Sequence, residues 1–239
     1  MEKSKISKFI QKYNLGGNVN SVKWAFDGKS VITSFVTPDR NLLGTVKMDD
    51  CEFEPSNIGV NDTSQLTKLL NILDGNLSLS LTKFKEKSIS LNVKNGYISF
   101  DYPLADLSVI GDPPKLKTIP KFETKLKIDE KFIDVFIKGK NALQEVETFS
   151  VISNGSGVKT VIGYSTTNTN RVTIPTTAIE NGMSEMVSFN ANLFKDILVA
   201  NKECTSAIFE ISNEGLAKIE FNVDNYSSTY YLVASQGVN

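Results

Sequence analysis

The sequence predicts an α+β chain built of two similar domains, and three observations predict it. Most of the chain alternates apolar and polar residues with the period of a strand. Four short segments instead carry apolar stripes at helical spacing. Those four segments fall into two pairs, the second pair following the first at a nearly constant offset.

The strands come first. Val22, Trp24 and Phe26 alternate with polar residues before a turn at Asp27-Gly28. Leu77, Leu79 and Leu81 alternate, as do Ile89, Leu91 and Val93, and Asn95-Gly96 marks a hairpin into Tyr97–Tyr102. In the second half Phe209 and Ile211 lead to a turn at Asn213–Gly215, then Ala217, Ile219 and Phe221, then a last strand near Tyr230–Ala234.

The helical stripes are Ile6, Phe9, Ile10 and Tyr13; Leu66, Leu69, Leu70 and Leu73; Phe132, Val135 and Phe136; and Phe194, Ile197 and Leu198. Asp62 with Gln65 makes a capping-box-like start for the second, and Gly75 stops it. Asp129 caps the third, and Asn190 or Asn192 the fourth. An offset of 126 carries Ile6, Phe9 and Ile10 onto Phe132, Val135 and Phe136. An offset of 128 carries Leu66, Leu69 and Leu70 onto Phe194, Ile197 and Leu198. Each half then runs helix, strands, helix, strands. Between them, Pro103–Lys127 holds four of the seven prolines, and its Gly111-Asp112-Pro113-Pro114 run is expected to be exposed. The expected division is residues 1–106, a connector at 107–124, and residues 125–239.

Composition narrows the function. The 239 residues carry no histidine, which removes the commonest general base and metal ligand and rules out Ser-His-Asp and Cys-His mechanisms. Cys51 and Cys204 lie far apart in no CxxC spacing, so neither a disulfide framework nor a zinc site is expected, nor any other cofactor. The N-terminus lacks the apolar core of a signal peptide and no stretch suits a membrane helix, so a cytoplasmic protein is expected. Carboxylate pairs at Asp49/Asp50 and Glu145/Glu147 sit in no motif and read as solvated charges, so a carboxylate hydrolase is the weakest alternative.

The net charge is −1, yet lysine recurs opposite the apolar stripes. Lys5, Lys8 and Lys12 share one face of the first helix, Lys68 stands opposite the leucines of the second, and Lys195 and Lys202 lie off the stripe of the fourth. The offset of 126 takes Lys5 to Lys131 and Lys12 to Lys138, but Lys8 to Asp134. A solvated helix face explains any one helix alone. Repetition over four helices in a slightly acidic chain favours a positive stripe that attracts duplex DNA without reading sequence. Only Arg40 and Arg171 are arginines, so base readout is not expected.

Four segments carry a resemblance. MEKSKISKFIQKYN at the N-terminus, NGYISFDYPLAD at Asn95–Asp106, FIKGKNALQ at Phe136–Gln144 and the terminal TYYLVASQG are similar, in order along the chain, to the sliding clamps of T-even-like bacteriophages. These belong to the clamp superfamily that includes proliferating cell nuclear antigen. The resemblance implies the DNA-clamp fold, with paired βαβββ units in each domain, helices lining a trimeric ring and sheets outside. It implies a non-enzymatic processivity factor of viral DNA replication that encircles duplex DNA, tethers a DNA polymerase and is opened by an ATP-dependent clamp loader. Lys5, Lys12, Lys131 and Lys138 would face the hole, joined by Lys8, Lys68, Lys195 and Lys202 from helical projection. Family clamps bind partner peptides in an apolar pocket, to which Val36, Leu42, Leu43, Val109, Ile110, Tyr231 and Val233 would contribute. They also touch late-transcription proteins, a further candidate partner. The alternative is a trimeric phage tail or baseplate β-sandwich, which leaves the lysine-bearing helices unexplained.

Overall fold

The structure is a computed structural model that describes residues 1–154, 157–167 and 169–235, so Gln236 and Gly237 of the TYYLVASQG segment lie outside the described residues. The chain divides into two compact units. Unit 1 is Met1–Pro38, Gly44–Pro114 and Asp224–Ser228; unit 2 is Asp39–Leu43, Lys115–Val223 and Thr229–Asn239.

Unit 1 contains α1 (Lys3–Asn14), β1 (Val22–Phe26), β2 (Val31–Val36), β3 (Leu42–Met48, from Gly44 onward), β4 (Ser56–Val60), α2 (Thr63–Asn71), β5 (Ser78–Phe84), β6 (Lys87–Asn95) and β7 (Ile98–Pro103). The strands hydrogen-bond in the orders β4-β1-β2-β3 and β5-β6-β7. In the first set Trp24 lies opposite Ile58 and Val22 opposite Val60. Strict alternation on β1 turns Val22, Trp24 and Phe26 inward.

The helix packs onto that face through rings. Phe9 meets Trp24 and Tyr13 edge to face, both at 5.5 Å, and Tyr13 reaches Phe35 at 6.4 Å. Phe35 needs a bare backbone beside it: a Cβ on Gly44 would stand 2.3 Å from its ring. The buried Tyr13 hydroxyl shares a hydrogen bond with Thr63 at 3.2 Å, which ties α1 to the start of α2. Burial pushes that phenol above its ordinary range.

Unit 2 contains β8 (Thr124–Asp129), α3 (Glu130–Ala142), β9 (Thr148–Asn154), β10 (Gly157–Ile162), β11 (Val172–Thr176), β12 (Ala178–Asn181), β13 (Val187–Asn190), α4 (Ala191–Ala200), β14 (Ser206–Ile211), β15 (Leu216–Val223) and β16 (Tyr226–Val233, from Thr229 onward). Its orders are β13-β9-β10-β11 and β12-β8-β14-β15-β16. The first repeats β4-β1-β2-β3, and β14-β15-β16 repeats β5-β6-β7. Each helix follows a strand and precedes three, so the βαβββ plan occurs four times. Before α1 the leading strand shrinks to one bridge, Glu2 with Asn76. The core of unit 2 is phenylalanine: Phe136 meets Phe149 at 5.2 Å and Phe194 at 5.0 Å, and Phe194 meets Phe209 at 4.9 Å.

The duplication has a different register from the expected one in its first helix pair. Residues 6, 9, 12 and 13 are buried on α1, and 133, 136, 139 and 140 on α3, an offset of 127. The helix starts agree, Glu2 answering Asp129. An offset of 126 had aligned apolar identity, whereas burial and caps follow the backbone. Lys5 and Lys131 are therefore not equivalent positions, nor are Lys12 and Lys138. On α2 and α4 the offset of 128 holds: residues 63, 66 and 70 answer 191, 194 and 198.

Three helices are capped by side chains. Asp62 accepts from Gln65 N at 2.8 Å, Asp129 from Phe132 N at 2.9 Å, and Asn190 from both Asn192 N and Leu193 N at 2.9 Å. Asn190, not Asn192, is the cap.

The segment after β7 is anchored at its root. Asp106 accepts from Ser108 N and Oγ and from Lys87 Nζ, and these bonds, the lysine first, hold its carboxyl well below the usual range. Ala105 N donates to Gly59 O at 2.9 Å, and a Cβ on Gly59 would meet Ala105 O at 2.5 Å and Ile110 Cδ1 at 3.0 Å. Ile110 is thus 5% exposed, while its neighbour Val109 is 73% exposed.

Ile110→Ala is expected to cost about 2–4 kcal/mol in chemical denaturation, against less than about 0.5 kcal/mol for Val109→Ala. Equal losses would show that Ile110 is not packed on Gly59. The Asp106 contacts carry a pH signature. A depressed carboxyl stabilises above its unfolded value of 3.8, and the effect is lost as pH falls through the lower folded value. Exchange of the Ser108 amide should therefore gain protection as pH rises past that point, relative to Asp106→Asn.

Candidate nucleic-acid interface

Four helices with buried apolar stripes leave their other faces to solvent. α1 packs beside α2 in unit 1, and α3 beside α4 in unit 2. Their charge content differs between units. α1 and α2 hold five lysines and no acid; α3 and α4 hold four lysines with Glu130, Asp134 and Asp196.

The eight candidate lysines fall into distinct environments. Lys8 and Lys68 are exposed on α1 and α2. Lys131 and Lys138 are exposed on α3, but Lys138 is held 2.7 Å from Asp134 one turn back. Lys195 is half-buried on α4 beside Asp196 at 3.6 Å. Lys5 is half-buried, and its carbonyl accepts from Tyr226 Oη at 2.9 Å.

Two candidates need correcting. Lys12 is not on the solvent face: it is 1% exposed, with Nζ 5.3 Å above the Tyr226 ring. Helical projection puts Lys5 and Lys12 on one side, but Tyr226 closes the last turn of that side. Lys202 is exposed but lies in the turn beyond α4, which ends at Ala200. A lysine that the sequence reading passed over, Lys140, is also buried, at 3%. It donates to the carbonyls of Leu143 at 3.3 Å and Gln144 at 2.9 Å, closing the C-terminal end of α3. Burial, then the nearby Lys195, lowers its pKa from the ordinary lysine value. No sequence signal separates it from the solvated Lys138 two residues earlier.

The seven apolar candidates for partner binding also separate. In unit 2, Val233 N donates to Asn41 O at 2.9 Å, which brings the end of β16 beside Leu42 and Leu43. Val233 is 45% exposed, and Leu43 and Tyr231 are half-buried. Leu42 is fully buried and belongs to the core, because alternation on β3 turns it inward. In unit 1, Val36 is half-buried and Val109 exposed, whereas Ile110 is taken up against Gly59. Leu42 and Ile110 are therefore packing residues rather than open contact positions.

Unit 1 also has a cavity of about 450 Å³ between Pro55–Gly59 and Lys83–Ile89. Its lysines are committed, Lys83 to Glu54 at 2.5 Å and Lys87 to Asp106 at 2.7 Å. Among the described residues no three histidine, cysteine, aspartate or glutamate side chains gather as metal ligands, and no helix is long and apolar enough to cross a membrane.

No protein-family model matches the chain, and no curated protein does. Solved structures do. Proliferating cell nuclear antigen (PCNA) of Entamoeba histolytica superposes with a TM-score of 0.72 at 12% identity, over 98% of this chain and 96% of that one. A PCNA of A. fulgidus, solved with the C-terminal region of FEN-1 bound, gives 0.77 at 15% identity, over 100% of this chain and 98% of that one. The PCNA2–PCNA3 complex of Sulfolobus tokodaii gives 0.73 at 12%, over 98% and 97%. With four βαβββ units, in two similar domains, and superposition over nearly its whole length, the chain has the DNA-clamp fold of the PCNA-type sliding clamps.

Proposed function

We propose that this chain is a sliding clamp, a processivity factor that encircles duplex DNA as a homotrimer and tethers a viral replicative DNA polymerase. The observation that carries the reading is the union of the clamp fold with a cationic solvent face on α1 and α2. The exposed Lys8 and Lys68 with the half-buried Lys5, on helices that carry no acid in a chain of net charge −1, point to a partner of regular negative charge. Duplex DNA presents about one phosphate per 1.7 Å of axis, and diffuse lysine contacts hold it with no preferred position, which is what sliding requires.

In this reading Lys8 and Lys68 are the principal DNA contacts, and Lys5, Lys131, Lys138, Lys195 and Lys202 act more weakly. Lys12 acts by holding α1 to Tyr226. The chain does no chemistry; an ATP-dependent loader opens and closes the ring. Sheet ends offer a route to self-assembly in this reading: among the described residues β7 ends its three-stranded sheet and β11 ends its four-stranded one. A strand edge with free N–H and C=O groups pairs readily with another copy, and head-to-tail pairing around three copies closes a ring. Val36, Leu43, Val109, Tyr231 and Val233 remain the apolar contacts proposed for polymerase, loader and late-transcription partners. A PCNA of the same fold holds the C-terminal region of FEN-1, which supports peptide capture as the mode of tethering. A phage tail or baseplate protein is the less favoured reading, since it gives the lysine faces no role.

Sedimentation equilibrium over a concentration series is expected to reach a species of roughly 79 kDa, three times the 26.3 kDa chain. A strict monomer at high concentration would overturn the ring. Lys8→Glu with Lys68→Glu is expected to leave folding intact and to weaken binding to duplex DNA about tenfold at low salt, with a shallower salt dependence. Lys138→Glu should act less, because Asp134 already offsets that charge. A reversed ranking would exclude α1 and α2 as the principal DNA face.

A further inference from the structure

We infer that the outer edge of β5, at Ser78–Thr82, is a strand-addition site for an extended segment of a partner protein that carries apolar residues at alternate positions. The inference rests on the clamp reading in one respect: that reading assigns the ends of the sheets at β7 and β11 to self-assembly and leaves this edge open.

The two units differ at this edge. The offset of 128 carries β5 onto β14, with Ser78 on Ser206, Leu79 on Ala207 and Leu81 on Phe209. In unit 2 the outer edge of β14 is filled by β8, with Ile128 opposite Ala207 and Leu126 opposite Phe209. All four of those side chains are buried. In unit 1, β5 pairs with β6 alone among the described residues, and the bridge of Glu2 with Asn76 stops short of it. Leu79 and Leu81 are accordingly half-buried, although Val93 and Leu91 opposite them on β6 are fully buried.

The backbone groups at the edge can be assigned. Leu77 N donates to Met1 O at 2.7 Å and Met1 N to Leu77 O at 2.9 Å, so Leu77 turns both of its groups away from β6. Successive residues of an antiparallel strand turn to opposite sides, so Leu79 and Leu81 turn theirs the same way as Leu77. Two N–H and two C=O groups then line the edge, and among the described residues none meets a partner there. β8 shows the complementary half in unit 2: Lys127 N donates to Thr177 O at 2.9 Å, away from β14, which leaves Leu126 and Ile128 to bond β14. Sheet edges are usually blunted by charge, proline or a bulge. On β5 the register shift and Lys83 come only after Thr82, and Ser78–Thr82 holds neither a charge nor a proline.

The occupant follows from the strand that fills the same place in unit 2. Its backbone is extended, to meet the four open groups. Two apolar side chains, two residues apart, cover Leu79 and Leu81 as Ile128 and Leu126 cover Ala207 and Phe209. The residue between them stands beside Ser80 on the exposed face and is polar, as Lys127 is on β8. Nucleic acid supplies neither the alternating apolar groups nor the backbone ladder.

The test uses the full chain and fluorescence anisotropy. The probe is a labelled peptide with the sequence of residues 122–129, the strand that fills the equivalent edge. It is expected to bind, and to bind about tenfold more weakly when N-methylated at its leucine and isoleucine, whose amides face the edge. N-methylation at its two lysines, whose amides face away, should leave binding unchanged. In the chain, Leu81→Pro removes an outward N–H without removing a bond to β6, and should also weaken the peptide about tenfold. The methylated pair requires no altered chain, so the outcome does not depend on how Leu81→Pro folds. No binding, equal loss from both methylated peptides, or binding indifferent to Leu81→Pro overturns the inference. Self-association of the peptide-free chain that Leu81→Pro abolishes would give the edge to a second copy and overturns it too. Peptide binding does not require a ring: a trimer that ignores the peptide overturns this inference alone, and a monomer that binds it with the expected methylation pattern overturns the clamp reading alone.

Discussion

In both units a ring on the helix meets a ring on the first strand after it edge to face, Phe9 with Trp24 at 5.5 Å and Phe136 with Phe149 at 5.2 Å. Such a pair adds about 0.5–1.5 kcal/mol beyond the area it buries, and it fixes the rotation of the helix about its axis. That rotation decides everything on the opposite side. Once Phe9 faces Trp24, Lys8 has nowhere to point but solvent. The cationic face is the complement of the aromatic one rather than a separate invention. The second helix of each unit follows the same logic, Phe194 against Phe209 and the Tyr13–Thr63 bond orienting α2.

What could be read from sequence was whatever local chemistry decides alone. The stripes gave the four helices, the Asp62 and Asp129 caps gave two of their starts, and Asn95-Gly96 gave a hairpin. What could not be read depended on a residue far away. Lys12 and Lys8 differ in nothing a helical wheel can see; Tyr226 separates them. Ile110 and Val109 are adjacent β-branched residues in a proline-rich segment, and only the bare backbone of Gly59 determines which is swallowed. The one-residue error in matching α1 to α3 has a related cause. Apolar identity drifts between duplicated helices because neighbouring positions can share a core, whereas the caps, set by backbone geometry, do not drift.

The two units are alike in plan and unlike in field. Acids on α3 and α4 sit next to their lysines, Asp134 against Lys138 and Asp196 against Lys195, so much of the charge of unit 2 is spent internally. The helices of unit 1 carry no acid themselves, and Lys3 finds Asp74 at 3.7 Å just beyond α2. Under the proposed clamp function this unevenness would keep the grip on DNA weak, because each phosphate contact adds to a salt-dependent affinity.

Unit 1 is not continuous in the chain. Its helix α1 is completed by Asp224–Ser228, through Tyr226 bonded to Lys5 and stacked under Lys12, across 221 residues of sequence. A ribosome makes these pieces in order, and at about 5–20 residues per second the interval between them is on the order of ten seconds or more. During that time the side of α1 that carries Lys12 lacks its covering ring. The unit that holds the earlier part of the sequence is thus finished late, and until then its α1 lacks the cover of Tyr226.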